Sequence, residues 1–376
     1  MDTCYLSHFQ SLPARYQLNQ TDAIQGLIKL RLQIKPRPDS WDLEIIENRV
    51  KRFGLANAKI ETRGSEIADF QAEGGGFFRN GEIPTLEARM AFFKSRTTEV
   101  MKEFYKDEKQ KPNDLIHVTC TGYTAPNAAH EIAAIWSQSE DHLARVTLAY
   151  HMGCYAALPA IRIGQGFCLS TARENFKNQG SEYRVDIVHQ ELCSLHFDPL
   201  SLEPEQIVVQ SLFADGHIRY ELTPHLSEDG FSVKALHEEI LPDSLELMSW
   251  TPSSSHFTMG LSREVPNIIK PALKRFLSRL LEKAKIKLSD QTIFAIHPGG
   301  PKIIDSVQSE LNLDRTQTEE SHEILKHFGN MSSATLPHIW QKILKNPKRN
   351  NESHVVSLAF GPGLTLSGGV FQLCRI

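Results

Sequence analysis

The feature that most constrains this 376-residue chain is a repeated grammar of short apolar run, glycine-bearing turn and helical stretch. It occurs as "DLIHVTCTG" before "NAAHEIAAIWSQ", as "ARVTLAY" before the turn at Cys154, and as "TIFAIHPGG" before "PKIIDSVQSEL". "HVVSLAFGPG" stops the same way, "YRVDIVHQEL" reads as another strand, and "VFQLC" as the last one. Continuous apolar runs are the pattern of strands buried on both faces, and their alternation with helices calls for helices packed on a sheet. The expected class is α/β and layered, and the recurrence of the pattern suggests two related halves. "IVVQSLFADG" reads as a further segment of this series, ending at Asp215-Gly216.

The first part of the chain has a different texture. Residues 20–110 read as mainly helical. "TDAIQGLIKLRLQ" carries a Thr21 or Asp22 cap and is broken by Pro36 and Pro38. "SWDLEIIENRVKRFG" is a second helix, capped by Ser40 and closed by Gly54, and "LEARMAFFKSRTTEVMKEFYKD" is a third. "EGGGFF" at 73–78 reads as a loop. Near the other end, "PALKRFLSRLLEKAKI" is strongly amphipathic, and Pro301 opens the helix that follows "HPGG".

Composition narrows the class of function. A net charge of -4 gives no electrostatic case for nucleic acid. The basic cluster Lys345–Arg349 reads as a solvated face. No run is long enough to suggest a membrane span. The N-terminus shows no basic segment followed by an apolar core, so no signal peptide is expected. The six cysteines form no CxxC pair and are widely spaced, so neither a disulfide framework nor a metal site is expected. Reduced thiols in a cytoplasmic setting fit this usage. P-loop, GxGxxG and HExxH patterns do not occur in their required contexts.

Three residues stand out. Cys154 follows Gly153 at a strand-to-helix junction, where a helix N-terminus favours thiolate. Taken alone, a cysteine after an apolar run is more often core. His297 ends the strand "IFAIH" ahead of two glycines, and its bland reading is a turn histidine. Asn330 in "HFGNMSSA" reads by default as a helix cap, but an amide beside a thiol and an imidazole can stabilise a developing oxyanion. Phe213 in "SLFADG" is by default core.

The blocks "GCYAALPAIRIG", "LFADG", "HPGGPKIIDSVQSELNL", "HFGNMSSA" and "FGPGLTL" occur in order around Cys154, His297 and Asn330. Together they resemble the type III polyketide synthases, the chalcone and stilbene synthase family of the thiolase superfamily. The resemblance runs from about residue 20 to the C-terminus. It implies a thiolase-like αβαβα layered fold from two halves, placed at residues 1–225, carrying the nucleophile, and 226–376, carrying the histidine and asparagine. It also implies a homodimer, CoA thioesters as substrates and no cofactor or metal. Cys154 then accepts an acyl group from an acyl-CoA starter. His297 keeps Cys154 as thiolate and, with Asn330, binds the thioester carbonyl of malonyl-CoA and stabilises the enolate left by loss of CO2. Phe213 and Met259 match the gatekeeping positions, with Phe257 the alternative to Met259.

The resemblance places Cys120, Thr121, Ala125, Glu191, Cys193 and His196 in or near the substrate pocket. Lys59 and Arg63 fall near basic residues that bind CoA at the tunnel mouth. Small residues at 120, 125 and 193 are closest to the bacterial alkylpyrone and alkylresorcinol synthases, so a medium or long fatty acyl starter and a pyrone or resorcinol product are expected. An acyl carrier protein is an alternative donor of the starter. "LFADGHIRY" departs from the family, because His217 and Arg219 occupy positions where small apolar residues are usual. The two rival readings are a single-condensation enzyme like ketoacyl synthase III and a non-catalytic acyl-binding subunit on the same scaffold.

Overall fold

In a computed structural model, the structure describes residues 3–35, 37–55, 59–71, 76–78, 81–138, 143–173 and 183–376. Pro36 and the first half of the expected "EGGGFF" loop lie outside the described residues. The chain opens with β1 (Tyr5–Leu12), β2 (Tyr16–Asn19), α1 (Gln20–Gln33), α2 (Leu43–Phe53), β3 (Thr62–Ser65) and α3 (Leu86–Tyr105). It continues through β4 (Asp114–Thr119), α4 (Ala128–Trp136), β5 (Arg145–Tyr150), α5 (Ala157–Arg173), β6 (Val185–Leu192), α6 (Pro204–Leu212) and β7 (Asp215–Thr223). Then come β8 (Gly230–Ile240), β9 (Met248–Pro252), β10 (Phe257–Leu261), α7 (Val265–Ala284), β11 (Ile293–Ile296) and α8 (Pro301–Leu311). The last elements are α9 (Glu319–Phe328), α10 (Thr335–Lys345), β12 (His354–Gly361) and β13 (Thr365–Cys374).

One nine-stranded sheet runs in the order β11-β12-β13-β8-β1-β7-β6-β4-β5. Its pairings are mixed. β4 is parallel to β5 and β6, β11 is parallel to β12, and the remaining neighbours are antiparallel. The expected mixed α/β, thiolase-like architecture is borne out. Either side of the β1–β8 contact, the strand order repeats: β1-β7-β6-β4 on one side and β8-β13-β12-β11 on the other. Helices cover both faces. Ile161 of α5 and Trp340 of α10 belong to one apolar cluster, and Leu273 and Leu280 of α7 belong to another.

Several local expectations need correction. The cap of α1 is Asn19, whose side chain accepts from the Asp22 N–H, and the cap of α2 is Asp42 rather than Ser40. Each still supplies the acceptor that a helix start leaves wanting. Residues 20–110 also contain β3, which pairs antiparallel with β2, a ribbon too short and too polar for periodicity to reveal. "IVVQSLFADG" is not one strand. It is the end of α6 followed by β7, with the change of direction at Phe213-Ala214.

The unusual composition of β7 has a packing explanation. Alternation puts Ile218, Tyr220 and Leu222 on one face, within an apolar cluster. His217, Arg219 and Glu221 lie on the other face, and both faces are buried. Partners of opposite charge stand ready there. His217 Nε2 lies 2.8 Å from Glu66, which also holds Arg96 at 2.6 Å. Arg219 pairs with Glu108 at 2.7 Å, lies 3.6 Å from Asp186 and sits over the Tyr105 ring. Arg184 completes the group, 2.9 Å from Asp186 and 3.3 Å from Glu221. Buried charges persist only when paired in this way.

Candidate functional site

Cys154 lies in the turn between β5 and α5, at the C-terminal end of β5. Gly153 has φ +82°, and a Cβ there would come 2.9 Å from Pro362. A Cβ at Gly361 would meet the Tyr155 ring at 2.1 Å. The "FGPG" turn and the Cys154 turn can therefore pack this closely only because both carry glycine. His297 follows β11 directly, and its N–H donates to Leu358 of β12 at 2.8 Å. β12 runs on into Gly361-Pro362, which brings the end of β11 and the Cys154 turn to the same end of the sheet. Asn330 follows α9. Its N–H donates to Leu212 at 3.0 Å, and its carbonyl accepts from Ala214 at 2.8 Å.

A cavity of about 870 Å³, open to solvent, reaches Cys154. Its apolar wall includes Leu18, Phe70, Phe197, Val209, Met248 and Trp250. Phe213, Met259 and Phe257 also line it, so both candidates for the second gate face the same space. Cys120, Thr121, Cys193 and His196 are on the wall as expected. His196 donates from Nε2 to the Thr121 carbonyl at 2.8 Å and accepts the Phe257 N–H on Nδ1 at 3.0 Å. Its ring stacks on Phe257 with centroids 4.4 Å apart. Burial pushes His196 down to about 3, so this ring is a neutral wall element.

His297 and Asn330 are not on the wall of this cavity. Both are buried, and both His297 ring nitrogens and the Asn330 Nδ2 lack a protein partner. Asn330 Oδ1 accepts from the Ser332 N–H at 2.9 Å, which leaves the amide's NH2 as the free end. Buried polar atoms without partners are rare, and they mark places where a ligand or water completes the bonding.

The electrostatics differ from the sequence-based expectation of a depressed thiol. Burial pushes Cys154 up to about 12, helped by the nearby Glu191 carboxylate, against the pull of hydrogen bonds from Ser332 and Asn330. Burial alone takes His297 down to about 3. Thiol and imidazole are both neutral here, so desolvation outweighs the influence of the helix start. Glu191 lies one layer behind the wall. It accepts from the Cys120 N–H at 3.0 Å and from the Thr119 and Thr121 hydroxyls at 3.1 and 2.8 Å. Ser333 also donates to it.

Two expected site residues lie elsewhere, and a third lines the cavity but is engaged by backbone carbonyls. Ala125 is exposed and is not on the cavity wall of this chain. Lys59 is exposed and lies 3.9 Å from Asp305, away from the cavity. Arg63 lines the cavity but is 6% exposed, and its Nη1 donates to the Gln210 and Phe213 carbonyls at 2.8 and 2.7 Å. Arg63 stands inside β3, whereas Lys59, four residues earlier, precedes the strand, and spacing alone does not show which of the two points inward. Sequence reasoning missed Ser332, whose hydroxyl lies between two thiols, although it stands inside the "GNMSSA" block. It also missed Leu18, Phe70 and Phe197, which in sequence look like ordinary core.

Residues 232–374 match the family of chalcone and stilbene synthases, C-terminal domain. Probable polyketide synthase 1 of Dictyostelium discoideum is 29% identical over 262 residues, covering 68% of this chain and 8% of that protein. Type III polyketide synthase C of Arabidopsis thaliana is 29% identical over 264 residues, covering 68% of this chain and 66% of that protein. The chain thus matches less than two thirds of the length of either relative. The crystal structure of the C-terminal type III polyketide synthase domain of Steely1, a type I/III hybrid from Dictyostelium, superposes with a TM-score of 0.81 at 22% identity, covering 99% of both chains. Type III polyketide synthases are acyltransferases that catalyse decarboxylative condensation and need no cofactor beyond their CoA thioester substrates. Residues 232–374 are thus similar to the chalcone and stilbene synthase family, and the chain carries the fold of the type III polyketide synthase structures.

Proposed function

We propose that this protein is a type III polyketide synthase that loads an acyl-CoA starter on Cys154 and extends it with malonyl-CoA. The observation that carries the reading is a cavity-lining thiol with a buried amide close by, and a buried imidazole at the same end of the sheet, whose nitrogens have no protein partner. Cys154 attacks the starter thioester. Its proton passes to the neutral His297 and CoA leaves as thiol, so the nucleophile is generated during attack rather than stored as an ion pair. Malonyl-CoA then places its thioester carbonyl against His297 and the Asn330 amide. Loss of CO2 supplies the electron pair of the enolate, and preorganised donors stabilise its oxygen. The enolate carbon attacks the acyl carbonyl and expels Cys154, leaving a β-ketoacyl-CoA. Return of that chain to Cys154 permits another round. Attack of an enol oxygen on the final thioester releases a pyrone and free CoA.

The largely apolar wall supports a medium or long fatty acyl starter, because each buried methylene contributes about 0.8 kcal/mol. Phe213 and Met259 act as gates. The division into halves is placed between residues 225 and 226. A homodimer is supported by β5, an edge strand that leaves Leu148 exposed near exposed Leu143 and Tyr123. That arrangement would bring the Ala125 loop against a partner. A cytoplasmic location agrees with six free thiols, and no helix among the described residues is long and apolar enough to cross a membrane.

The test is mass spectrometry of products from purified protein, malonyl-CoA and a ladder of acyl-CoA starters, with CO2 release measured in parallel. Wild type should release CO2 and yield extended products, best with long chains. His297→Ala and Asn330→Ala should each lower CO2 release by about a hundredfold or more, the usual cost of losing an oxyanion donor. Turnover of short aromatic starters alone would refute the fatty acyl assignment, and absence of CO2 release would refute the enzyme.

A further inference from the structure

Arg63 is the buried cation of this cavity, and among the described residues it makes no ion pair with a carboxylate. Its Nη1 holds the Gln210 and Phe213 carbonyls. These lie at the C-terminal end of α6, where a helix leaves carbonyls without internal partners and its dipole favours a cation. The same end of α6 is stitched to Asn330. Leu212 accepts the Asn330 N–H and Ala214 donates to the Asn330 carbonyl, making a short parallel bridge between the Phe213 and Asn330 segments. The contact is tight on the other side as well. A Cβ at Gly329 would lie 2.9 Å from the Leu212 carbonyl and 3.4 Å from the Arg63 Cβ, and Gly329 has φ +70°. Strand β3, the end of α6 and the turn before Asn330 therefore meet at one guanidinium.

Burying a guanidinium without a direct carboxylate contact is costly, and burial pushes this one down to about 10 against the weaker opposing attraction of Asp215. A cation retained under that cost must hold something. What it holds is the backbone that carries one cavity-wall ring, Phe213, and one free amide, Asn330. We infer that Arg63 is a positioning residue that clamps the end of α6 and so fixes the Phe213 ring and the Asn330 amide relative to each other. This rests on the proposed function, in which Asn330 serves the malonyl step and Cys154 the loading step. Arg63 then governs decarboxylation more strongly than the nucleophile's own reactivity, to which Asn330 is one of several contributors. Lysine is a poor substitute, because it keeps the charge but lacks the rigid plane that holds Nη1 between the two carbonyls.

The experiment compares wild type, Arg63→Lys and Arg63→Gln in three measurements: CO2 release from saturating malonyl-CoA, alkylation of Cys154 by iodoacetamide, and thermal melting. Arg63→Gln should lower CO2 release by about tenfold or more in kcat while Cys154 alkylation stays within about threefold of wild type, with Arg63→Lys between the two. If decarboxylation, alkylation and melting fall together, Arg63 is only structural and the inference fails. It fails equally if CO2 release is unchanged. If Arg63→Gln does not fold, Arg63→Lys decides by the same split between CO2 release and alkylation. A wild-type protein that releases no CO2 refutes the proposed function itself, and this inference with it.

Discussion

The Sγ of Cys120 stands 3.0 Å from the Oγ of Ser332. The same hydroxyl lies 3.9 Å from the Sγ of Cys154, so two thiols in one cavity share one hydroxyl. Their electrostatic surroundings differ. The Glu191 Oε2 is 3.6 Å from the Cys120 Sγ, and it opposes thiolate there most directly.

Limited alkylation with iodoacetamide should therefore modify Cys154 and spare Cys120. Replacing Glu191 by Gln removes the opposing charge and should raise the alkylation rate at both sulfurs, by about tenfold for each unit by which a pKa falls. Peptide mapping by mass spectrometry reads the result. Modification of Cys120 first in the wild-type protein would contradict this ordering.

The pH dependence of that alkylation separates a neutral pair from a stored ion pair. With the Cys154 thiol pushed up to about 12, the thiolate is a small minority near neutrality and grows as pH rises. The rate should climb roughly tenfold per pH unit from 7 to 10, with no plateau in between. A plateau reached near pH 7 would show that the unliganded site already holds thiolate and imidazolium.

Arg219 is the keystone of the buried ionic face of β7. Arg219→Leu leaves Asp186, Glu108 and Glu221 facing one another with one cation fewer, and burial already raises Asp186 and Glu221. The loss should be about 3–5 kcal/mol in chemical denaturation, as for one partner removed from a buried charge pair. A change under about 1 kcal/mol would mean that water enters the face and screens it.

Cys193 lines the cavity with a small side chain. Cys193→Phe should shorten the longest starter accepted and leave the shortest accepted starters within about threefold of their wild-type kcat/KM. Competition assays with mixed acyl-CoA starters measure the shift. An unchanged length profile would place the acyl chain elsewhere in the cavity.

Much of the scaffold was legible from local pattern. The apolar runs ending at Thr119, Tyr150, Ile296 and Gly361 are the strands β4, β5, β11 and β12; burial on both faces demands continuous apolar residues in β4, β11 and β12, while β5 is a partly exposed edge strand. The glycines at 153 and 361 announced turns that approach closely, and they do. β2 and β3 were not legible, since short ribbons with polar residues carry no periodic signal. Arg63 and Lys59 look alike in sequence, yet one is buried against the end of α6 and the other pairs with Asp305 at the surface.

By itself the sequence singled out Cys154, His297 and Asn330, and it put the first two after apolar runs, where β5 and β11 end. Only the tertiary structure decided their charge states and their company. Desolvation is a property of the whole surrounding volume, and it pushes the Cys154 thiol up and the His297 imidazole down despite the helix start that follows Cys154. The partners of His217 and Arg219 come from the segment after α3, from β6 and from the segment after β3, distances along the chain that no local pattern spans.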